Sequence, residues 1–370
     1  MRSTAAVVRE ESQPFEIEEL ELEEPRAGEV LVRVVATGMC HTDLIVWDQW
    51  YPVPLPAVLG HEGAGMVERV GEGVTKLEPG DHVVLTFASC GRCANCLRGN
   101  PTYCLQFFDL NFGGTRLDGS NALGTVDGDP VHDRFFGQSS FATYAIATQR
   151  NATKVRDDVP VELLGPLGCG IQTGAGGVMN VLHPEAGTSI ALFGAGAVGM
   201  SAVMAARIVG CATIVAIDVV PERLELAREL GATHIINANE AENVVEEAQE
   251  ITGGGADYTL ETTAAPAVFR QAVDSLAPLG VCGFIGAAPL GTEVSLDMND
   301  ILIPGKTVRG IVEGDSVPDV FIPRLVELYA QGRFPFDRLL QYYSLQEINQ
   351  AAEDAEEGNT LKPVLRIESV

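Results

Sequence analysis

The rhythm of apolar and polar positions changes midway along the chain. Before Gly165, an apolar run at 30–36 and shorter segments at 65–70 and 82–87 are separated by Gly71, Gly73 and a Pro79-Gly80-Asp81 turn. That punctuation predicts short strands and a β-rich first domain. The stretch 113–137 mixes Gly, Asp and Asn and is expected to run over the surface as loops. From 189 onward apolar runs alternate with amphipathic stretches. Strands are predicted at 190–193, 213–217, 235–236, 258–261 and 281–285, with helices at 197–209, 221–230, 240–252 and 266–275. Pro221 opens one of these helices and Gly231 closes it, each where its backbone suits that end. Strands alternating with helices predict a parallel sheet of right-handed βαβ units. The segment 311–370, with a helix at 318–331, does not extend the alternation. The expected organisation is a first domain over 1–170, a second over 171–310, and a return of 311–370 to the first.

Length agrees with two domains, because the chain has 370 residues and single cores stop growing near ~250–300. No stretch reaches the ~18–20 apolar residues that span a bilayer. The first residues, MRSTAAVVREE, turn acidic at once and hold no apolar signal core, so a cytoplasmic location is expected. A formal charge of −27 argues against nucleic acid or an anionic membrane as partner. It also requires any polyanionic cofactor to find local positive groups or helix N-termini.

One such place is legible. Gly194-Ala195-Gly196-Ala197-Val198-Gly199 follows an apolar strand and opens a helix, and Asp218 ends the next strand 19 positions after Gly199. Together these are the context a dinucleotide fingerprint requires. Gly194, Gly196 and Gly199 let the backbone approach a pyrophosphate, and Val198 lies on the same turn. Asp218 would bind the adenosine ribose hydroxyls and repel a 2′-phosphate, which favours NAD over NADP.

The eight cysteines are unevenly placed. Cys90, Cys93, Cys96 and Cys104 give Cys-x-x-Cys-x-x-Cys-x7-Cys, four soft ligands at the spacing of a closed structural zinc site. An iron–sulfur cluster also takes four cysteines, and spacing alone leaves that open. Cys40, His61 and Cys169 are dispersed. Two thiolates and an imidazole suit a catalytic zinc with an open position, but a lone histidine or cysteine is more often a core residue. Spacing does not pair these three.

Gly60-His61-Glu62-x-x-Gly65-x5-Gly71-x-x-Val74 resembles the signature of the zinc-containing medium-chain alcohol dehydrogenases. The four-cysteine lobe (88–106), the isolated Cys169 and the glycine fingerprint follow in that family's order, so the resemblance covers essentially the whole chain. Gly168-Cys169-Gly170-Ile171-Gln172-Thr173-Gly174 and Cys40-His41-Thr42-Asp43 look most like aryl-alcohol (benzyl alcohol) dehydrogenases.

The resemblance implies a GroES-like β-rich catalytic domain, a doubly wound Rossmann domain, and an active-site cleft between them. It implies NAD, two zinc ions per chain, and a dimer or tetramer. Cys40, His61 and Cys169 would hold the catalytic zinc, with Glu62 as an alternate ligand and Asp43 orienting His61. Thr42 would take the substrate proton. His41 and Lys362 would lie near the cofactor phosphates, Arg223 near the adenosine ribose, and Thr173 along the cofactor. Many relatives carry a histidine three residues after the relay hydroxyl, where this chain has Ile45. His41, a ribose hydroxyl with ordered water, or direct solvent would then complete the proton path. Trp47, Trp50, Tyr51 and Phe87 suggest an aromatic substrate, unless these rings simply pack under the loop. Rival readings are a glutathione-linked formaldehyde dehydrogenase, a general aliphatic alcohol dehydrogenase, and a zinc-bearing nucleotide-binding protein without activity. The first handles an anionic adduct, and 44–51 offers no basic residue. The intact Cys40, Thr42, His61 and Cys169 argue against the last.

Overall fold

The apolar run at 30–36 lies inside a ten-residue strand, Glu29–Gly38, of which only Arg33 and Val35 are less than buried. In the computed structural model, which describes residues 1–367, this strand organises the first of two units. That unit comprises Met1–Cys169, Val317–Ala330 and the chain from Asp337 onward. Strand Glu62–Val70 pairs antiparallel with Glu29–Gly38, setting Glu62 opposite Gly38. The late strand Lys362–Arg366 also pairs with it antiparallel, setting Val364 opposite Gly38. Residues separated by some 300 positions in sequence thus meet at one strand end. A second, five-stranded sheet is built on Arg2–Val8 and Glu16–Leu22.

The stretch 113–137 departs from the surface loop expected of it. It carries short strands at Leu123–Gly124 and Pro130–Val131 and ends with Phe135 and Phe136 buried in the core of this unit. Polar anchors draw it in. Arg116 bonds Glu29 at 2.8 Å, and the buried Arg134 donates to Ile146 O at 2.8 Å and pairs with Glu29. Burying those charges is tolerable because each is paired.

The second unit spans Gly170–Ser316 and Gln331–Phe336. Its strands are β1 (Ser189–Phe193), β2 (Thr213–Asp218), β3 (His234–Asn237), β4 (Ala256–Glu261), β5 (Leu276–Phe284) and β6 (Thr307–Gly310). They lie side by side in the order β3-β2-β1-β4-β5-β6, all parallel. This is the doubly wound order, with its switch point between β1 and β4. All of β1 is buried, as expected of a strand covered on both faces. Its helices include α1 (Gly170–Gly176), α2 (Ala197–Val209) and α3 (Pro221–Leu230). Among the described residues no helix is long and apolar enough to cross a membrane.

Candidate active site and metal centres

A short helix, His41–Trp47, begins directly after strand Glu29–Gly38, with Cys40 as its N-cap. Asp43 closes a capping box by accepting from Cys40 N at 2.8 Å. Its other oxygen meets His61 Nδ1 at 2.8 Å and accepts from Gly60 N at 3.1 Å. Both Asp43 and His61 are fully buried. One carboxylate therefore fixes the thiol-bearing turn, the GHE turn and the imidazole together.

Cys40, His61, Glu62 and Cys169 each offer a ligand atom, all within 4.8 Å of one another. His61 Nε2 is buried with no hydrogen-bond partner, a costly state that a metal would relieve. The neighbouring Cys169 sulfur lowers the Cys40 thiol well below its ordinary range, against burial and with help from the charges of Lys362 and His61. Burial opposes a charged His61, but Asp43 holds its pKa well up. A thiolate beside a second thiol and an imidazole is a donor set that fits zinc.

Thr42 Oγ1 lies 3.8 Å from Cys40 Sγ, His41 is exposed, and Ile45 is buried. Lys362, anticipated near the cofactor phosphates, is buried in this unit. Its ammonium donates to both oxygens of Glu62 at 2.9 and 3.0 Å and to Met39 O at 3.2 Å. The pairing of the last strand beside Gly38 causes this. Trp47 stacks on Phe15 at 5.8 Å and donates to Gln13 O, whereas Trp50 is 46% exposed.

Three neighbours of His61 escaped the sequence reading. Phe136 lies 4.6 Å from the imidazole and Phe135 5.3 Å, edge-on. Gln138 donates to His61 O at 2.8 Å and accepts from Gly63 N at 3.0 Å. The one available signal was two adjacent phenylalanines in an otherwise polar stretch.

The second quartet, Cys90, Cys93, Cys96 and Cys104, also brings its four sulfurs within 4.8 Å. Backbone amides point at them: Cys93 N reaches Cys90 Sγ at 3.3 Å, Cys90 N reaches Cys104 Sγ at 3.3 Å, and Gln106 N reaches Cys104 Sγ at 3.4 Å. Backbone hydrogen bonds lower Cys93 to about 6, while burial and its sulfur neighbours push Cys96 up to about 12. Four thiolates this close need a cation to ionise together. The set fits a closed tetrahedral metal site.

In the second unit, Gly194 adopts φ +100° and Gly196 caps α2. A Cβ on Gly199 would lie 1.9 Å from Gly194 O, so only glycine allows this turn. Asp218, at the end of β2, accepts from Ala195 N at 2.6 Å, Val219 N at 2.8 Å and Val220 N at 3.0 Å. Val198 lies in the first turn of α2, Arg223 in α3, and Thr173 is buried in α1. The turn and its acidic neighbour fit a dinucleotide at the sheet's carboxyl edge.

An "Alcohol dehydrogenase GroES-like domain" model matches residues 26–157, and a "Zinc-binding dehydrogenase" model matches 197–331. Solved structures of similar shape include an alcohol dehydrogenase zinc-binding domain protein from Burkholderia ambifaria, 61% identical with TM-score 0.98. Another is benzyl alcohol dehydrogenase from Acinetobacter calcoaceticus, 52% identical with TM-score 0.97; both matches cover all of each chain. A geraniol dehydrogenase from Castellaniella defragrans is 48% identical over 362 residues, 98% of this chain and 96% of that one. The chain belongs to the zinc-containing medium-chain alcohol dehydrogenases, a family that works with zinc and NAD.

Proposed function

We propose that this alcohol dehydrogenase acts on primary alcohols that carry an unsaturated, benzyl-type group, passing hydride between the alcohol carbon and NAD. The observation that carries this reading is the pair of rings, Phe135 and Phe136, packed against His61 of the metal quartet. Likeness to a benzyl alcohol dehydrogenase and a geraniol dehydrogenase supports it. Both rings are themselves buried, so what they give the quartet is an apolar, aromatic backing suited to an unsaturated substrate.

Cys40, His61 and Cys169 are the proposed holders of the catalytic metal. Zinc there supplies a Lewis acid that lowers the pKa of the alcohol. Asp43 accepts a hydrogen bond from His61 Nδ1 and so turns Nε2 toward the site. Glu62 is held by Lys362, within reach as an alternate ligand. Thr42 takes the hydroxyl proton of the substrate, and exposed His41 passes it to solvent, since the aliphatic Ile45 has no group that could carry it. Bound NAD would supply the hydride acceptor; Asp218 and Arg223 would hold its adenosine ribose, and Thr173 would lie along it. Cys90, Cys93, Cys96 and Cys104 hold the structural zinc. Initial rates of NADH formation across benzyl alcohol, geraniol, ethanol and the glutathione adduct of formaldehyde test the reading. Preference for the adduct or for ethanol overturns it.

A further inference from the structure

After β6 the second unit makes a turn that few sequences would adopt willingly. Glu313, Gly314 and Asp315 all have positive φ, at 50°, 62° and 47°. Two of them are not glycine, and such strain persists only where surrounding structure over-determines it. Here the surroundings are α1 and the helical turn Gly177–Leu182 that follows it. Ser316 Oγ donates to Gln172 Oε1 at 2.8 Å, and Asn180 donates to Gly314 O at 3.1 Å. A Cβ on Gly314 would lie 2.5 Å from Gln172 O. Asp315, the last residue of the turn, pairs with Arg309 at 2.5 Å. Glu313 is buried, at 8% exposed, and its Oε2 accepts from Gln172 Nε2 and Thr173 Oγ1, both at 3.4 Å. The turn thus fixes one carboxylate at the carboxyl edge of the sheet.

That edge is where a doubly wound sheet binds its ligand, straddling the switch point between β1 and β4. With the pyrophosphate at the Gly194–Gly199 turn and the adenosine at Asp218 on β2, the nicotinamide half falls on the side of β4, β5 and β6. Glu313 lies on that side. The oxidised nicotinamide ring is a cation and the reduced ring is neutral. A fixed buried carboxylate separates the two electrostatically.

We propose that Glu313 is a cofactor-recognition residue whose carboxylate makes the protein bind the oxidised nicotinamide in preference to the reduced one. The proposal rests on the NAD placement above and adds to it a preference between redox states. It assigns the strain of the Glu313–Asp315 turn a purpose, since a relaxed turn would not hold that carboxylate against α1.

The test is binding to the zinc-loaded protein. NADH affinity is read by fluorescence titration, and NAD+ affinity by its displacement of NADH. In Glu313→Gln the NAD+ dissociation constant should rise on the order of tenfold, while that of NADH changes less than about twofold. Glu313→Ala should move the ratio in the same direction. Glu313→Asp keeps the charge and should keep most of the wild-type ratio, and Asp315→Asn should leave it unchanged. Equal weakening of both nucleotides in Glu313→Gln and Glu313→Ala, or no change in either, overturns the proposal and leaves Glu313 as a brace for its turn. A wild type that binds neither nucleotide would overturn the NAD placement itself.

Discussion

Lys362 is spent on Glu62. Its ammonium sits 2.9 and 3.0 Å from the two carboxylate oxygens, with both side chains essentially buried. The pair joins the last strand of the first unit to the residue after His61, beneath two thiols that share the same small volume. Burial lowers the lysine pKa, but Glu62 and the cysteines more than offset it and hold the ammonium charged. The positive charge balances a site already rich in anions.

Breaking that pair from one side should therefore be expensive. Lys362→Met leaves a buried carboxylate uncompensated, at a cost of ~3–5 kcal/mol. Lys362→Met combined with Glu62→Gln should recover a large part of it. Urea unfolding followed by tryptophan fluorescence reads this directly, since both tryptophans, Trp47 and Trp50, lie in the first unit. A double variant no more stable than the single one would show that the pair is not coupled.

The two cysteine-bearing quartets lie apart in sequence and offer separate donor sets, so removal of one metal should spare the other. The wild type should carry two zinc ions per chain by elemental analysis. Cys93→Ser should lose one, mainly lowering thermal stability because a closed site contributes folding energy. Cys169→Ser should lose the other, with turnover falling at least about a hundredfold, ~2.7 kcal/mol, while the melting profile keeps its shape. Iron with a visible chromophore, or a single metal in the wild type, contradicts both assignments.

Asp218 carries two duties. Its carboxylate binds the backbone of the glycine turn and of its own strand end through three N–H groups, besides facing the 2′ position in the proposed site. Asp218→Ser should raise the NADP-to-NAD ratio of kcat/KM by about tenfold, ~1.4 kcal/mol. Most of that change should come from poorer use of NAD, because the turn loses its anchor. A wild type that already prefers NADP would remove the role given to Asp218.

What was legible in the chain followed from how local each signal was. The glycine turn, Asp218 and the four clustered cysteines are short-range patterns, and their neighbours in sequence are their neighbours in space. The alternation after 189 likewise yielded β1, β2, α2 and α3 within a residue or two. Cys40, His61 and Cys169 carry no mutual spacing, and only family resemblance grouped them before their sulfurs and imidazole were seen together. The Lys362–Glu62 pair depends on strand register across 300 positions, which no local pattern encodes. Phe135 and Phe136 were hidden in a polar stretch because what buries them is the pairing of Arg134 with distant Glu29. Phe136 itself sits at φ +50°, a conformation no propensity would predict for a phenylalanine.

That last pair of rings shifts where aromatic preference should be sought. Trp47 is committed to Phe15 and Gln13, and Tyr51 meets Phe112 edge-on at 5.6 Å. Phe112 in turn lies 5.3 Å from Phe136, which reaches His61. The rings form a continuous wall ending at the metal quartet, and Phe136 is its last member. We therefore expect kcat/KM for benzyl alcohol to exceed that for ethanol by at least about tenfold, which needs only ~1.4 kcal/mol. Phe136→Leu roughly keeps side-chain volume and so limits the packing cost, yet it removes the ring face. By changing the aromatic backing of the site it should lower the benzyl rate about three- to tenfold, the scale of one aromatic interaction, and leave ethanol within about twofold. Trp47→Phe should change neither rate much, because its ring serves the core. Equal specificity for the two alcohols in the wild type would sink the benzylic assignment, and a fall of both rates together in Phe136→Leu would recast that ring as a support for His61.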